Sequence, residues 1–486
     1  MCRTFRLIPF FLVMVVSAGC AVGPDYQRPQ VNTPDKWRFE YQDAKDFTNT
    51  AWWRQFNDPV LDELVTAALK ENADILIAAA RVEQYLGYYG GTRSALFPQI
   101  GAGAIGARER YSQAGRTPLP AGVSAVDNTF QGLISAGWEM DIWGRLRRET
   151  EAARADLLAS EEARNAVVLT VVAAVANTYI DLRSLDRELE ITRQTAVTRG
   201  ETYALFKERF DSGIISELEL SQVRSEYEKA LATIPRIEKS ILQTENALGI
   251  LLGRNPAPIT RGRDIDTLTI PAVPAGIPSD LLERRPDIRL AEAQLIAANA
   301  RIGAAKAQYF PSIALTGFAG AVSADFGDLF TGPAGVWNYG AQATVPIFTA
   351  GRIVGSVQAS EAVQQQALAR YRQAIQNSFR EVDDALIDQR KSLEEFQAQS
   401  RQVDALKDYA RLARMRFDEG YTSYIEVLDA DRSLFNEQLN YTQIQAGLLR
   451  SLVSLYKAMG GGWVVEAASA QDSNRNGAPQ EAAYFP

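Results

Sequence analysis

The chain lacks histidine altogether and has only two cysteines in 486 residues. Without an imidazole there is no Ser-His-Asp or Cys-His nucleophile system, no histidine general base and no zinc site of the usual His-containing kinds. Two cysteines build neither a Cys-rich metal site nor a disulfide framework. Basic residues are outnumbered, 51 against 59 acidic, which argues against a nucleic-acid partner, since that would need a basic face. Long apolar runs are scarce as well. Beyond residue 20 the longest, Ala166 to Ala176, is broken by Thr170 and flanked by Arg164, Asn177 and Asp181, so no α-helical membrane span is expected. No residue set suggests a catalytic pair, and the expectation is a protein that is not an enzyme.

The first residues read as an address. Arg3 and Arg6 precede an apolar stretch, Leu7 to Val16, that is interrupted by Pro9 and too short to span a bilayer; Ser17, Ala18, Gly19 and then Cys20 follow. Residues 1–19 are therefore expected to be a secretory signal peptide, with Cys20 the lipid-bearing first residue of a bacterial lipoprotein. The plainer alternative is a cleaved signal beside an incidental cysteine. Ala21, not Asp, comes next, and nothing argues for retention in an inner membrane. Cleavage also removes Cys2, so the exported chain has no disulfide and must be stabilised by packing or assembly.

The remainder repeats itself. Residues 95–100, Ala-Leu-Phe-Pro-Gln-Ile, match Gln-Tyr-Phe-Pro-Ser-Ile at 308–313; Gly144-Arg145 matches Gly351-Arg352, and Phe210-Asp-Ser-Gly213 matches Phe417-Asp-Glu-Gly420. The period is too long for a solenoid unit, so it describes two related half-molecules. Each half has the order helix, two strands, very long helix, tight turn, shorter helix. The expected division is 20–60, a lipid anchor and N-terminal segment; 61–253, the first repeat; 254–279, a Pro-rich linker; 280–463, the second repeat; and 464–486, a flexible polar tail.

Strands are marked by alternation. Phe130, Gly132, Ile134, Ala136, Trp138, Met140 and Ile142 alternate with residues that include Gln131, Ser135, Glu139 and Asp141; Trp337, Tyr339, Ala341, Ala343, Val345 and Ile347 do the same around Asn338, Gln342 and Thr344. A period of two fits a strand with one apolar and one wet face. Ile100 to Tyr111 and Ile313 to Ser323 are weaker, Gly- and Ala-rich partners, completing two hairpins. Gly101, Gly103 and Gly106 spell G-x-G-x-x-G, but the motif leads from a helix into a strand, the reverse of a dinucleotide site. Helices of unusual length follow. Arg145 to Phe210 and Ile353 to Phe417 contain no Pro, and only Gly200 and Gly355 as glycines, and each would reach roughly 100 Å at about 1.5 Å per residue. In the second, Phe379, Val382, Leu386, Leu393, Phe396, Val403, Ala410 and Phe417 share one heptad frame, the sign of coiled-coil packing. Leu61–Leu96, Glu217–Leu252, Asp280–Tyr309 and Tyr424–Met459 supply half-length partners.

Four amphipathic strands cannot close a membrane barrel, which starts at about eight, and an open sheet in lipid would leave backbone groups unpaired. Two copies give eight strands with little room inside, whereas three give twelve and a lumen. The expected fold is α+β: an oligomeric outer-membrane β-barrel, four strands per chain, continued by a long periplasmic α-helical coiled-coil barrel, with internal duplication. A periplasmic coiled-coil tether that conducts nothing is the reading from another class, and conductance separates the two.

The chain resembles the TolC/OprM-like outer-membrane factor family, in its lipoprotein efflux branch. The likeness rests on Cys20 followed by Gly23-Pro-Asp-Tyr26 and Arg28-Pro29, on Trp52-Trp53-Arg54 with Phe56 and Asp58-Pro59, on Arg285-Pro286-Asp287-Ile288, on Phe310-Pro311, on Gly351-Arg352, and on the run Leu455 to Trp463 with its three glycines. The resemblance implies a homotrimer in the cell outer membrane, a trimeric twelve-stranded β-barrel with a twelve-helix periplasmic tunnel, lipid-anchored and extending into the periplasm. It implies the exit duct of a tripartite efflux system for small molecules such as drugs or toxic compounds, joined to a periplasmic adaptor and an inner-membrane transporter of the RND class. A type I protein-secretion outlet is the rival within the duct reading.

A gate is expected at the two tight turns, where Gly213 and Gly420 supply a left-handed helix C-cap. After each turn comes Ser-x-x-Glu, Ser216 with Glu219 and Ser423 with Glu426, whose spacing is that of a capping box. The resemblance places rings of acids just past the tips, at Glu219, Glu426 and Asp429. Cap and pore ring remain alternative readings of the two glutamates; Asp429, which no cap needs, is either ring or solvated helix. Where some relatives carry Arg near the second tip, this chain has Thr422, so that latch is not assumed.

Overall fold

The computed structural model describes residues 21–31, 37, 51–112, 124–271, 273 and 281–461. The signal peptide, Cys20, Trp463 and the tail 464–486 lie outside the described residues. The chain forms two compact units. Of the described residues, one unit takes those within 21–30, 82–160 and 291–371, the other those within 31–81, 161–290 and 372–461.

The first unit holds a four-stranded sheet, β1 (Gln99–Arg110), β2 (Val126–Met140), β3 (Ser312–Ser323) and β4 (Gly335–Thr344), in that order. All neighbours are antiparallel, so β1 and β4 are its two edges. The register sorts the side chains as the alternation requires. Gly106, Phe130 and Ser323 stand in one cross-strand row, and Ile100, Ala136, Gly317 and Tyr339 in another. One face therefore carries Ile100, Ala102, Ala104, Phe130, Ile134, Trp138, Leu315, Ala319, Trp337 and Tyr339. The other carries Gln99, Gln131, Ser135, Glu139, Thr316, Asn338 and Gln342, with Ile105, Leu133 and Phe318 among them. The apolar face is exposed: Ile134 is 59%, Trp337 72% and Tyr339 79% accessible, and the last two rings stack at 5.6 Å.

In the same unit residues 21–30 form a strap. Val22 N–H donates to the Trp143 carbonyl at 3.0 Å, Asn299 Nδ2 to the Pro24 carbonyl at 2.9 Å, and Arg148 pairs with Asp25 at 2.6 Å. Glu292 accepts from both Tyr26 at 3.0 Å and Arg28 at 2.8 Å. The helices beneath meet through small residues, Ala152 and Ala155 against Ala297 and Ala300.

The α-helices of more than one turn are α1 (Pro59–Glu71), α2 (Ala73–Ser94), α3 (Arg145–Asp211), α4 (Glu217–Leu251), α5 (Pro286–Ala307), α6 (Arg352–Asp418) and α7 (Tyr424–Ala458), with a single turn at Leu281–Arg284 before α5. The long ones are 67 residues each and their followers 35 each. Two expected continuous helices are broken. The helix expected over Leu61–Leu96 divides at Asn72, which is extended at ψ 129. Its carboxamide caps Asp74 N–H at 2.9 Å and Ile75 N–H at 3.1 Å while donating to the Leu251 carbonyl at 2.8 Å. The helix expected over Asp280–Tyr309 divides at Arg285, because the residue before a proline is driven out of the helical region. Arg285 holds the junction by bonding Asp287, Glu381 and the Ala458 carbonyl.

The core of the second unit collects Trp52, Phe56, Leu61, Val65, Val172, Val175, Tyr179, Ile180, Leu248, Ile265, Leu449 and Val453. Each large side chain so buried contributes about 1.5–3 kcal/mol. Asp58, 1% accessible, caps α1 through Val60 N–H at 2.9 Å and accepts from the Tyr179 hydroxyl at 2.7 Å and Arg263 N–H at 3.0 Å. This pins part of the Pro-rich segment to α3, and Arg183 adds a pair with Asp264 at 2.5 Å. Helix α3 has a window long and apolar enough to cross a membrane, and it is 56% buried. That stretch is the core-forming run around Val168 to Ile180, which accounts for its apolarity without lipid.

Candidate aperture at the helix tips

Both long helices end in the same turn. Gly213 has φ +73 and Gly420 φ +79, a conformation that penalises any side chain with a Cβ. Gly213 N–H donates to the Phe210 carbonyl at 2.8 Å and Ile214 N–H to that of Arg209 at 2.9 Å; the equivalents are Gly420 to Phe417 at 2.9 Å and Tyr421 to Arg416 at 2.8 Å. These paired bonds satisfy carbonyls the helix leaves free.

The two turns are exited differently. At Ser216 the capping box is complete. Glu219 N–H donates to the Ser216 hydroxyl at 3.3 Å, and Ser216 N–H returns a bond to Glu219 Oε2 at 2.8 Å. That N–H, with the serine hydroxyl, holds the Glu219 carboxyl below its ordinary range, so it is charged at neutral pH. At Ser423 no side-chain cap forms. The Ser-x-x-Glu spacing is present, yet Glu426 turns to other donors, Thr422 Oγ1 and Arg416 Nη1, the latter at 3.3 Å. Thr422 is thus itself a partner of Glu426. Asp429 accepts from Arg432 Nη2 at 2.6 Å, with its side chain 51% accessible. Burial, then the charges of Asp429 and Glu426, push the nearby Tyr409 phenol up.

Beneath the turns the two hairpins share a core: Phe206 and Val223 from the first, Ala413, Tyr424, Val427 and Ala430 from the second. The Phe206 and Tyr424 rings lie 4.3 Å apart, and Phe417 meets Tyr424 edge-on at 5.0 Å. A buried charge cluster adjoins it. Arg199 is 8% accessible, donates to the Glu226 carbonyl at 2.8 Å, pairs with the Glu226 carboxylate at 3.0 Å and lies 5.0 Å from the Phe435 ring centre. Burial pushes Arg199 down, against the pull of Glu226 and Asp431. Burial likewise pushes the Asp431 carboxyl up, against Arg414 and Arg199. Sequence reading passed over this cluster. Its signal was there: Arg199 falls seven residues from both Thr192 and Phe206, a charged residue on a buried heptad line.

The outer skin of the turns is apolar, with Ile214, Leu218, Tyr421 and Ile425 each more than half accessible. The described residues contain no group of three or more Cys, Asp or Glu placed to hold a metal ion. An exposed apolar sheet face with two unpaired edges points to a membrane protein.

The class narrows on comparison with known proteins. The family described as "Outer membrane efflux protein" matches residues 64–254 and 277–461, and the chain belongs to that family. It is 36% identical over 478 residues to the probable efflux pump outer membrane protein TtgC of Pseudomonas putida, covering 96% of this chain and 98% of that one. It is 34% identical over 463 residues to the cation efflux system protein CusC of Escherichia coli, covering 94% and 99%. The solved CmeC outer membrane channel of Campylobacter jejuni superposes with a TM-score of 0.86 at 25% identity, over 94% of this chain and 99% of that one. The chain is an outer-membrane efflux channel, with the periplasmic extension of that family.

Proposed function

We propose that three copies close their sheets edge to edge, β4 of one against β1 of the next, into a twelve-stranded barrel continued by a coiled-coil tunnel through the periplasm. The observation that carries this reading is the sheet itself: one face apolar and exposed, two edges unpaired. Unpaired edges are untenable in lipid, and the 67-residue helices supply the tunnel wall. The tunnel is gated at the tips by Glu219, Glu426 and Asp429, and the tip's exposed Ile214, Leu218, Tyr421 and Ile425 suit docking of a periplasmic adaptor. That adaptor joins the duct to an inner-membrane transporter of the RND class, and Cys20 carries a lipid anchor. Relatives bear names that refer to cations and to solvents, which accords with a passive duct whose cargo the transporter selects.

Three copies of Glu426 and Asp429 around a narrow opening would favour cations and hold polyvalent ones as plugs. In planar bilayers the wild-type channel is expected to be cation-selective and blocked by trivalent cations. The E426A/D429A variant is expected to lose at least about half of that selectivity and most of the block, with unit conductance retained. Unchanged selectivity and block would remove these residues from the ring.

A further inference from the structure

The loop end of the sheet, opposite to where the helices attach, carries an unexplained charge. Arg108 and Arg110 lie two apart on edge strand β1, and the register sets Arg108 opposite Asn128 and Arg110 opposite Val126. Those rows belong to the apolar face. The acids of the same strand ends, Glu109 and Asp127, pair with each other on the other face. Among the described residues Arg108 has one bond, to Asn128 Oδ1 at 3.3 Å, and no carboxylate pairs with either guanidinium. The loop sequence 113–123 adds Arg116 and no acid.

Their height along the strand is informative. On β2 the apolar face runs from Met140 to Phe130; about ten residue steps of ~3.3 Å, tilted by about 40°, give roughly 25 Å, the height of a barrel's apolar band. Phe130 tops that band, opposite Gly106. Phe326 packs on it at 5.5 Å and Phe330 on Phe326 at 6.4 Å, with Phe330 86% accessible. This is an aromatic girdle, and the next lipid-side positions on β1 above it are the two arginines. They stand at headgroup level.

We propose that Arg108 and Arg110 form a binding site for the phosphates of a phosphorylated glycolipid of the outer leaflet, whose acyl chains lie along Phe130 and the apolar face below. A guanidinium fork suits phosphate oxygens in two-point contact. Acids on the lumen side and cations on the lipid side divide the strand end by the charge each surface meets. The assignment rests on the barrel reading above, which fixes this face toward lipid.

The test uses the purified full chain in mild detergent, titrated with diphosphoryl lipid A, its dephosphorylated form and phosphatidylglycerol, with bound lipid counted by native mass spectrometry. Wild type is expected to prefer diphosphoryl lipid A to both other lipids, R108Q/R110Q to bind it about tenfold more weakly, and R108K/R110K to fall between. Equal binding of the dephosphorylated form, or wild-type binding by R108Q/R110Q, would overturn the site. Stronger binding of phosphatidylglycerol would overturn its assignment to a glycolipid. Conductance in planar bilayers separates the two levels. Retained conductance with no phosphate preference sinks this proposal alone, whereas a wild type that fails to conduct sinks the barrel reading and this with it. Lost conductance in R108Q/R110Q would place the arginines in assembly and equally overturn lipid binding.

Discussion

The residue that departs furthest from its local rule is Arg199, a guanidinium buried under a shared hydrophobic core. Removing one partner of a buried ionic cluster costs more than the pair is worth, because the remaining charges stay desolvated. Arg199→Ala should therefore lower stability by about 3 kcal/mol, and Arg199→Lys by less, since charge is kept but the contact with Phe435 and the Glu226 carbonyl is weakened. Denaturant melts of the detergent-solubilised protein measure this; a change for Arg199→Ala under about 0.5 kcal/mol would mean the cluster is solvated in the assembly. The Glu219 and Glu426 pair makes a second point at this scale. Identical Ser-x-x-Glu spacing produces a completed cap in one case and a side chain held by Thr422 and Arg416 in the other. The motif specifies which bonds are possible, and the neighbours decide which are made.

Among elements, the long helices and the strands follow closely from pattern. The absence of proline over some 65 residues and the return of Phe-Asp-x-Gly mark α3 and α6, and alternation marks β2 and β4. The breaks at Asn72 and Arg285 were missed for different reasons. Arg285 precedes a proline, a local signal that sequence reading underweighted. Asn72 carries only the weaker signal of a favoured N-cap residue, here capping Asp74 and Ile75, and its bond to Leu251, far away in the chain, adds a tertiary hold on the break. The turns are the elements most sensitive to a single change. Gly213→Ala and Gly420→Ala should each cost about 1 kcal/mol or more, because both sit at positive φ with open space around them, leaving backbone strain as the main penalty. Gly355→Ala, inside α6, should instead be neutral or slightly stabilising. Melting of the three variants side by side checks the ranking, and equal effects would show that the left-handed turns are not required.

For the whole molecule, the proposed closure of the sheet and the proposed lipid at Cys20 are separable. Edge pairing needs β1 and β4, not the anchor, so Cys20→Ala with its signal peptide kept cleavable should leave an assembled, conducting channel without lipid. Loss of the oligomer on native gels would show that the anchor is needed for assembly. The strap 21–30 gives the chain after Cys20 its own hold, through Trp143, Asn299, Arg148 and Glu292, which is why assembly is expected to survive.

Read alone, the sequence determined the element order, the duplicated halves, the period-two faces of the strands and the positions of the glycine turns. Each of these depends on residues near one another in the chain, through backbone sterics or periodic burial. Only the tertiary structure decided where α1 and α2 part, which carboxylates near the tips are capped and which are ion-paired, and that Arg199 is buried. It also decided the cross-strand register, which sets Arg108 opposite Asn128, Arg110 opposite Val126 and Glu109 opposite Asp127. Those outcomes depend on register and on partners distant in sequence, where a shift of one residue would exchange the faces and no local pattern reports the choice.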